Sequence, residues 1–382
     1  MRVPAAQRPA ISRRTGSETA PPPEASAPMA LPPYFTTRRP EATGVAYSFI
    51  LCINIHTMYA VAPSPANTLR GRNVLQVDDL TAAELSSVLR LATYLKTLPL
   101  AEQRSLARGR TLAMLFEKPS LRTRVSFEVA MNQLGGETLF ASGSEFMVGS
   151  RETPEDVSRV LSRYVDAIVV RTHAHEPLER FARASTVPVI NGLSAAAHPC
   201  QALADLLTMQ ERFGSVEGLR IAYLGDAKNN VAASLAVAAV QLGATVQFGC
   251  PPTHRPSEAY LEHLQALGAP SGGSARAFSS AVRAVRGADV LYTDVWTSMG
   301  EERYRERNDA MLRPYAVTDE LLGYAQPHAI FMHCLPAHRG EEVTESVIEG
   351  EHSVVFDQAE NRLHAQKALL VALLTDCKGM PV

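Results

Sequence analysis

Four side chains suited to binding anions, Ser120, Arg122, Thr123 and Arg124, fall within five consecutive positions of this chain. They follow an apolar run, Thr111-Leu-Ala-Met-Leu-Phe116, that reads as a buried strand, and the break Lys118-Pro119-Ser120. From Leu121 onward apolar residues recur at helical spacing until Gly135-Gly136 stops the pattern. The four polar residues therefore crowd the first turn of a helix that follows a strand. Free backbone N–H groups and the positive end of the helix dipole already favour an anion there. Two guanidiniums would oppose that dipole on their own, whereas with a dianion between them, most naturally a phosphate, the conflict disappears.

Five more polar clusters follow apolar runs. They are Arg171-Thr172-His173, Asn191-Gly192 with His198-Pro-Cys-Gln201 soon after, Gly225-Asp-Ala-Lys-Asn-Asn230, Asp294-Val-Trp-Thr-Ser-Met-Gly300, and His333-Cys-Leu-Pro336. Singly each has an ordinary reading: His198 as a helix cap or core histidine, Cys334 as a small buried hydrophobe, Asn230 as an N-cap. Together they ask what brings them to one place.

The elements that carry them alternate. Helices are expected at about 79–97, 121–134, 154–164, 176–184 and 201–212. Strands are expected at 111–116, 138–140, 166–171 and 188–191. A second set follows, with strands at 219–225, 245–248, 290–293 and 329–332 and helices at 230–242 and 257–267. The β-α-β-α order, met twice, predicts an α/β fold of two parallel-sheet domains joined near residue 205, with the active site in the cleft between them. Ligands in such folds sit beyond the carboxyl ends of strands, where every cluster above falls. The turn after the strand at 219–225 lacks G-x-G-x-x-G, which argues against a nicotinamide dehydrogenase.

Length and charge agree. The 382 residues suffice for two cores, and a formal net charge of −2 gives no support to nucleic-acid binding. Five cysteines, an odd number with no C-x-x-C pair, argue against a disulfide framework or structural zinc and for a reducing compartment. Residues 1–69 differ from the rest. Up to position 72 the chain has eight arginines, no lysine, and only Glu18, Glu24 and Glu41 as acids. A disordered or cleavable extension is expected there. Residues 44–62 lack charged side chains, but Asn54 and His56 count against a membrane span. An upstream start with Met58 as working initiator implies the cytoplasm; a transit peptide would imply a mitochondrion or chloroplast.

From about residue 70 to 382 the chain resembles the ornithine carbamoyltransferases. The motifs that carry this are Ser120-Leu-Arg-Thr-Arg124, His198-Pro-Cys-Gln201, Gly225-Asp-Ala-Lys-Asn-Asn230, Asp294-Val-Trp-Thr-Ser-Met-Gly300, His333-Cys-Leu-Pro336 and Ala359-Glu-Asn-Arg362, in order over about 240 residues. The resemblance implies transfer of a carbamoyl group from carbamoyl phosphate to the side-chain amine of L-ornithine, giving L-citrulline and phosphate. It implies that Ser120, Leu121, Arg122, Thr123, Arg171, His198, Gln201, Cys334, Leu335 and Arg362 bind carbamoyl phosphate, with Arg171, His198 and Cys334 catalytic. Asn230, Asp294, Ser298 and Met299 would bind ornithine. Direct attack by the amine is implied, without a covalent Cys334 intermediate and without a metal or organic cofactor. The donor domain would be residues 70–205, completed by a C-terminal helix at 363–380 that Arg362 just precedes. The acceptor domain would be residues 206–362. A homotrimer or a multiple of one, ordered binding and domain closure are implied as well, with no membrane or nucleic-acid partner.

One position departs from the pattern. Met147, in Glu145-Phe-Met-Val-Gly-Ser-Arg-Glu152, stands where the family has a glutamine that reaches carbamoyl phosphate from a neighbouring subunit, and Ser150 or Arg151 is the expected substitute. Aspartate, N-acetylornithine, succinylornithine and putrescine are the rival acceptors within the family. A non-catalytic paralogue that only binds is the rival from another class. The residues do not carry the direction of flux, toward arginine synthesis or toward carbamoyl phosphate recovery.

Overall fold

The apolar runs become two fully parallel sheets in the computed structural model, which describes residues 68–143, 152–297 and 302–381. All of these belong to one unit of the chain, residues 60–382. The expectations for residues 1–67, Met147, Ser150, Arg151, Ser298 and Met299 lie outside the described residues.

The first sheet has the order β2-β1-β3-β4, with β1 (Thr111–Phe116), β2 (Glu137–Ser142), β3 (Ala167–Arg171) and β4 (Val189–Leu193). Its helices are α1 (Ala82–Thr97), α2 (Leu100–Gln103), α3 (Leu121–Gln133), α4 (Pro154–Leu161) and α5 (Glu176–Ala184). Strand β3 is buried along its whole length, and β1 beyond its first residue, because helices cover both faces of a parallel sheet; this is why they read as unbroken apolar runs. Gly135, at φ 83°, ends α3, and a Cβ there would lie 1.9 Å from the Arg104 carbonyl oxygen, so only glycine fits.

Helix α6 (Pro199–Phe213) runs unbroken past residue 205, and Gly214 at φ 80° closes it. The second sheet then has the order β7-β6-β5-β8-β9, with β5 (Arg220–Leu224), β6 (Thr245–Gly249), β7 (Ser274–Phe278), β8 (Val290–Thr293) and β9 (Ile330–His333). Around it lie α7 (Asn230–Gln241), α8 (Glu258–Gly268), α9 (Ala281–Val285), α10 (Arg305–Leu312), α11 (Asp319–Leu322) and α12 (Glu345–Ile348). Strand β7 was not expected: Ser-Ala-Arg-Ala-Phe, at the sheet edge, has too little apolar alternation to stand out.

The last helix, α13 (Val355–Leu374), packs on α1, α3 and α6, returning the chain to the first sheet. It starts earlier than the expected 363, so Arg362 sits within the helix rather than ahead of it. Lys367 on α13 is 1% exposed, and its amine donates to Gln103 Oε1 (2.7 Å) and Gln133 Oε1 (2.5 Å). Among the described residues no carboxylate pairs with it, and burial pushes the ammonium down to about 8. The unfolded chain therefore binds more protons than the folded one between about pH 8 and 10.5, so this group makes stability rise with pH across that window. Lys367→Met is expected to remove that rise. In urea unfolding at pH 7 and pH 10, the parent should gain on the variant by on the order of 2 kcal/mol at the higher pH.

Candidate active site

Ser120 caps α3: its hydroxyl accepts from the Thr123 N–H (3.3 Å) and donates to Thr123 Oγ1 (2.9 Å). Thr123 is buried, and the same Oγ1 accepts from the Arg362 guanidinium (2.8 Å), which ties the start of α3 to α13. Arg122 faces the space beyond. Arg124 does not, contrary to the sequence reading. Residues two apart on a helix do not share a face, and Arg124 instead pairs with Glu128 (2.8 Å) and lies 3.9 Å over the Phe140 ring.

The space that Arg122 faces is a cleft of about 470 Å3 between the two sheets. It gathers Ser120, Leu121, Arg122, Arg171, His198, Gln201, Asn230, Asp294, Cys334, Leu335 and Arg362. Of the expected residues that are described, only Thr123 lies behind the wall rather than in it. Leu121 turns its side chain outward, 77% exposed, so what it can offer the cleft is backbone. Lys118, Arg305, Asp309, His338 and Glu341 also line the cleft and were missed; Lys118 reads as part of the break after β1, and the other four are isolated charges that give no signal in a sequence.

One wall is cationic. Arg171 ends β3 beside Phe116 of β1 and is 5% exposed; Arg362 is as deeply buried. Burial pulls the Arg171 guanidinium down to about 10, with Arg362 and Arg122 adding repulsion. Burial likewise lowers Arg362. His198, at the start of α6, is pushed well below the ordinary 6.5 by burial and then by the same three arginines, so its imidazole is neutral at physiological pH. Arg171 Nε, Arg362 Nε, His198 Nδ1 and Gln201 Oε1 are buried without a hydrogen-bond partner among the described residues. Three guanidiniums held together with no ion-paired carboxylate among the described residues form a site that a dianion would stabilise.

The other wall comes from the second sheet. Helix α7 is capped by Asn229, so the ordinary reading of Asn230 as an N-cap does not hold. Asn229 Oδ1 accepts from Ala232 N–H (2.7 Å), and Asn230, one residue later, donates to the Ser194 carbonyl (2.6 Å). Asp294, just past β8, accepts from the Cys334 thiol (3.0 Å), from Val295 N–H (2.8 Å) and from Asn229 Nδ2 (3.4 Å). Burial first, and the Asp294 carboxylate second, hold the Cys334 thiol well above its usual value of 9. The thiol stays protonated, which agrees with a donor rather than a nucleophile. Iodoacetamide is accordingly expected to alkylate Cys334 at pH 8 more than about tenfold more slowly than a free cysteine, read by mass spectrometry of the digested protein.

Behind that wall is a set the motifs did not reveal. His333 Nδ1 accepts from Leu335 N–H (2.9 Å), so the ring proton sits on Nε2, which faces the fully buried Glu342 at 3.3 Å. This pins the Leu335 backbone, whose φ is 57°, at the cleft. Deeper still, burial pushes Asp205 up to about 7. Asp294, His333 and Cys334 put possible metal-ligand atoms within 4.8 Å of one another, as do His338, Glu341 and Glu342. In the first set those atoms already serve the hydrogen bonds just described, and in the second His338 Nδ1 lies 3.8 and 3.6 Å from the two carboxylates.

Two parallel sheets with a guanidinium wall facing a carboxylate–thiol wall give an α/β fold with an anion site and a cation site in one cleft. Residues 72–211 match the family described as aspartate/ornithine carbamoyltransferase, carbamoyl-P binding domain, and residues 217–373 the matching Asp/Orn binding domain. The chain is 48% identical over 312 residues to a protein of Pyrococcus furiosus named ornithine carbamoyltransferase, anabolic, covering 81% of this chain and 99% of that one. It is also 48% identical to an ornithine carbamoyltransferase of a Parafrankia species, over 81% of this chain and 98% of that one. Among solved structures, ornithine carbamoyltransferase from P. furiosus superposes with a TM-score of 0.77 at 49% identity, covering 80% and 98% of the two chains. A mitochondrial ornithine carbamoyltransferase from Coccidioides immitis gives 0.72 at 36%, covering 80% and 98%. The chain belongs to the aspartate/ornithine carbamoyltransferase family.

Proposed function

We infer that this protein transfers the carbamoyl group of carbamoyl phosphate to the side-chain amine of L-ornithine, giving L-citrulline and phosphate. The observation that carries this is the pairing of walls in one cleft, Arg122, Arg171 and Arg362 opposite Asp294 and Cys334. The guanidiniums and the free N–H groups of α3 hold the phosphate and favour its departure as a dianion. Arg171 and neutral His198 donate to the carbonyl oxygen as it gains charge, while Gln201 meets the carbamoyl –NH2. Asp294 is the counter-ion that draws the ammonium end of ornithine toward Cys334 and the Leu335 carbonyl. Once that ammonium gives up a proton, its nitrogen attacks the carbonyl carbon. The new C–N bond forms as the C–O bond to phosphate breaks, and the second proton passes from the nitrogen to the departing phosphate, which leaves as the HPO4 dianion. Holding both reactants in one cleft supplies much of the barrier reduction.

In this reading the first sheet with α13 is the donor half and the second sheet the acceptor half. Ser298 and Met299 complete the ornithine site, and the protein works in the cytoplasm as a homotrimer or a multiple of one. The assay is citrulline and phosphate release from carbamoyl phosphate with ornithine, aspartate, putrescine, N-acetylornithine or succinylornithine as acceptor. Ornithine should exceed the others by at least about 100-fold in kcat/KM. A larger rate with another amine, or tight phosphate binding with no turnover, would replace this reading. Light scattering after gel filtration checks the trimer.

A further inference from the structure

The least expected group in the molecule is a carboxylate at its centre. Asp205, on α6, is completely buried, and among the described residues no cation forms an ion pair with it. Its Oδ1 accepts from Gln201 Nε2 (2.9 Å), one helical turn earlier, and from Gln358 Nε2 on α13 (2.7 Å). Gln358 Nε2 also donates to the Tyr292 hydroxyl on β8 (3.0 Å), and its Oε1 accepts from His333 N–H at the end of β9 (2.9 Å).

Asp205 Oδ1 takes both amide bonds and accepts whether or not Oδ2 carries a proton, so it dictates which way round each neighbouring amide sits. With its nitrogen on Asp205, Gln201 must present Oε1 elsewhere. That oxygen is buried without a partner among the described residues, and Gln201 lines the cleft. The guanidiniums of the cationic wall are donors only, which suit the oxygens of carbamoyl phosphate but not its –NH2. Gln201 Oε1 supplies the acceptor, and a flipped amide would set –NH2 against –NH2. Gln358 is fixed at both ends by the same logic. Its carbonyl cannot leave the His333 N–H without its nitrogen leaving Asp205.

We propose that Asp205 is a positioning residue: it orients the Gln201 amide to accept from the carbamoyl –NH2 and, through Gln358, holds the strand end that carries Cys334. This rests on the carbamoyl-transfer reading above. It assigns one buried acceptor to both walls of the cleft, so the two substrate sites share a part that touches neither substrate. A core polar cluster that serves stability alone would have no reason to leave Gln201 Oε1 free.

The test compares two ligands by calorimetry on the full chain: inorganic phosphate, which needs only the guanidinium wall, and phosphonoacetamide, which adds a stable carboxamide. Asp205→Leu is expected to weaken phosphonoacetamide at least tenfold while leaving phosphate within about twofold. Asp205→Asn retains Oδ1 and should hold both ligands within about threefold of the parent, because Oδ2 has no partner to lose. Equal weakening of both ligands by Asp205→Leu, or weakening of neither, would overturn the proposal. So would a tenfold loss of phosphonoacetamide in Asp205→Asn. If the leucine variant does not fold, Asp205→Ala is read on the same two constants, with the same outcomes for and against. Failure of the carbamoyl-transfer reading looks different: the parent would then make no citrulline and would not prefer phosphonoacetamide to phosphate.

Discussion

Arg171→Met is expected to lower kcat/KM for carbamoyl phosphate roughly 1,000-fold and, in the absence of ligand, to leave the thermal midpoint unchanged or raised. The two effects share one cause. Arg171 is buried at the end of β3 with its Nε unpartnered, and Arg122 and Arg362 repel it. In the empty protein its charge is a liability, so a methionine of similar length relieves it. With a dianion bound, the same charge is paired at close range in a dry cleft, and removing one partner of such a pair costs about 2–5 kcal/mol. Steady-state kinetics gives the first number and differential scanning fluorimetry the second. Fluorimetry with added phosphate gives a third: the parent should be stabilised and the variant hardly at all. A variant that loses activity and several degrees of stability together would mean that Arg171 holds the fold rather than the substrate.

Asp294→Asn carries the second large effect, on the opposite wall. It removes the carboxylate that sits beside Cys334 on that wall while leaving shape nearly intact. The expected loss in kcat/KM for ornithine is about 100-fold, with phosphate inhibition unchanged. It also removes the charge that helps keep the Cys334 thiol protonated, so iodoacetamide should alkylate Cys334 faster in the variant than in the parent. If ornithine kinetics worsens and phosphate inhibition worsens equally, Asp294 acts on the architecture of the cleft. If thiol reactivity does not move, the 3.0 Å contact between Cys334 and Asp294 is not the state in solution.

These expectations set the cost of function against stability within one molecule. The guanidinium wall and the buried Lys367 both keep charge where an apolar side chain would sit more comfortably. The difference is that the wall faces a cleft and Lys367 faces two glutamines. For Lys367 only a linkage effect is predicted, because no substrate ever meets it.

Much of the site was legible in the chain itself. Strands buried on both faces must be apolar throughout, so β1, β3, β8 and β9 stand out, and in a parallel sheet whatever follows them lands on one rim. That alone gathers Ser120, Arg122, Arg171, Asp294 and Cys334. Local periodicity could not place Arg124, because a motif lists neighbours in sequence, whereas a helix separates positions two apart. Nor could it find the pairings that lock the site. Arg362 reaches Thr123 from 239 residues away, and Gln358 reaches Asp205 from 153. Glu342 and Gln358 are ordinary polar letters until packing excludes water around them. The sequence by itself determined the chemistry on offer, an anion-binding helix start and a carboxylate–thiol pair at strand ends, since these depend on residue type and on periods of two and 3.6. Only the tertiary structure decided which way each group faces and which buried amide is fixed by which carboxylate. Those outcomes belong to the return of α13 across the first sheet, and no short window of sequence contains both sides of that contact.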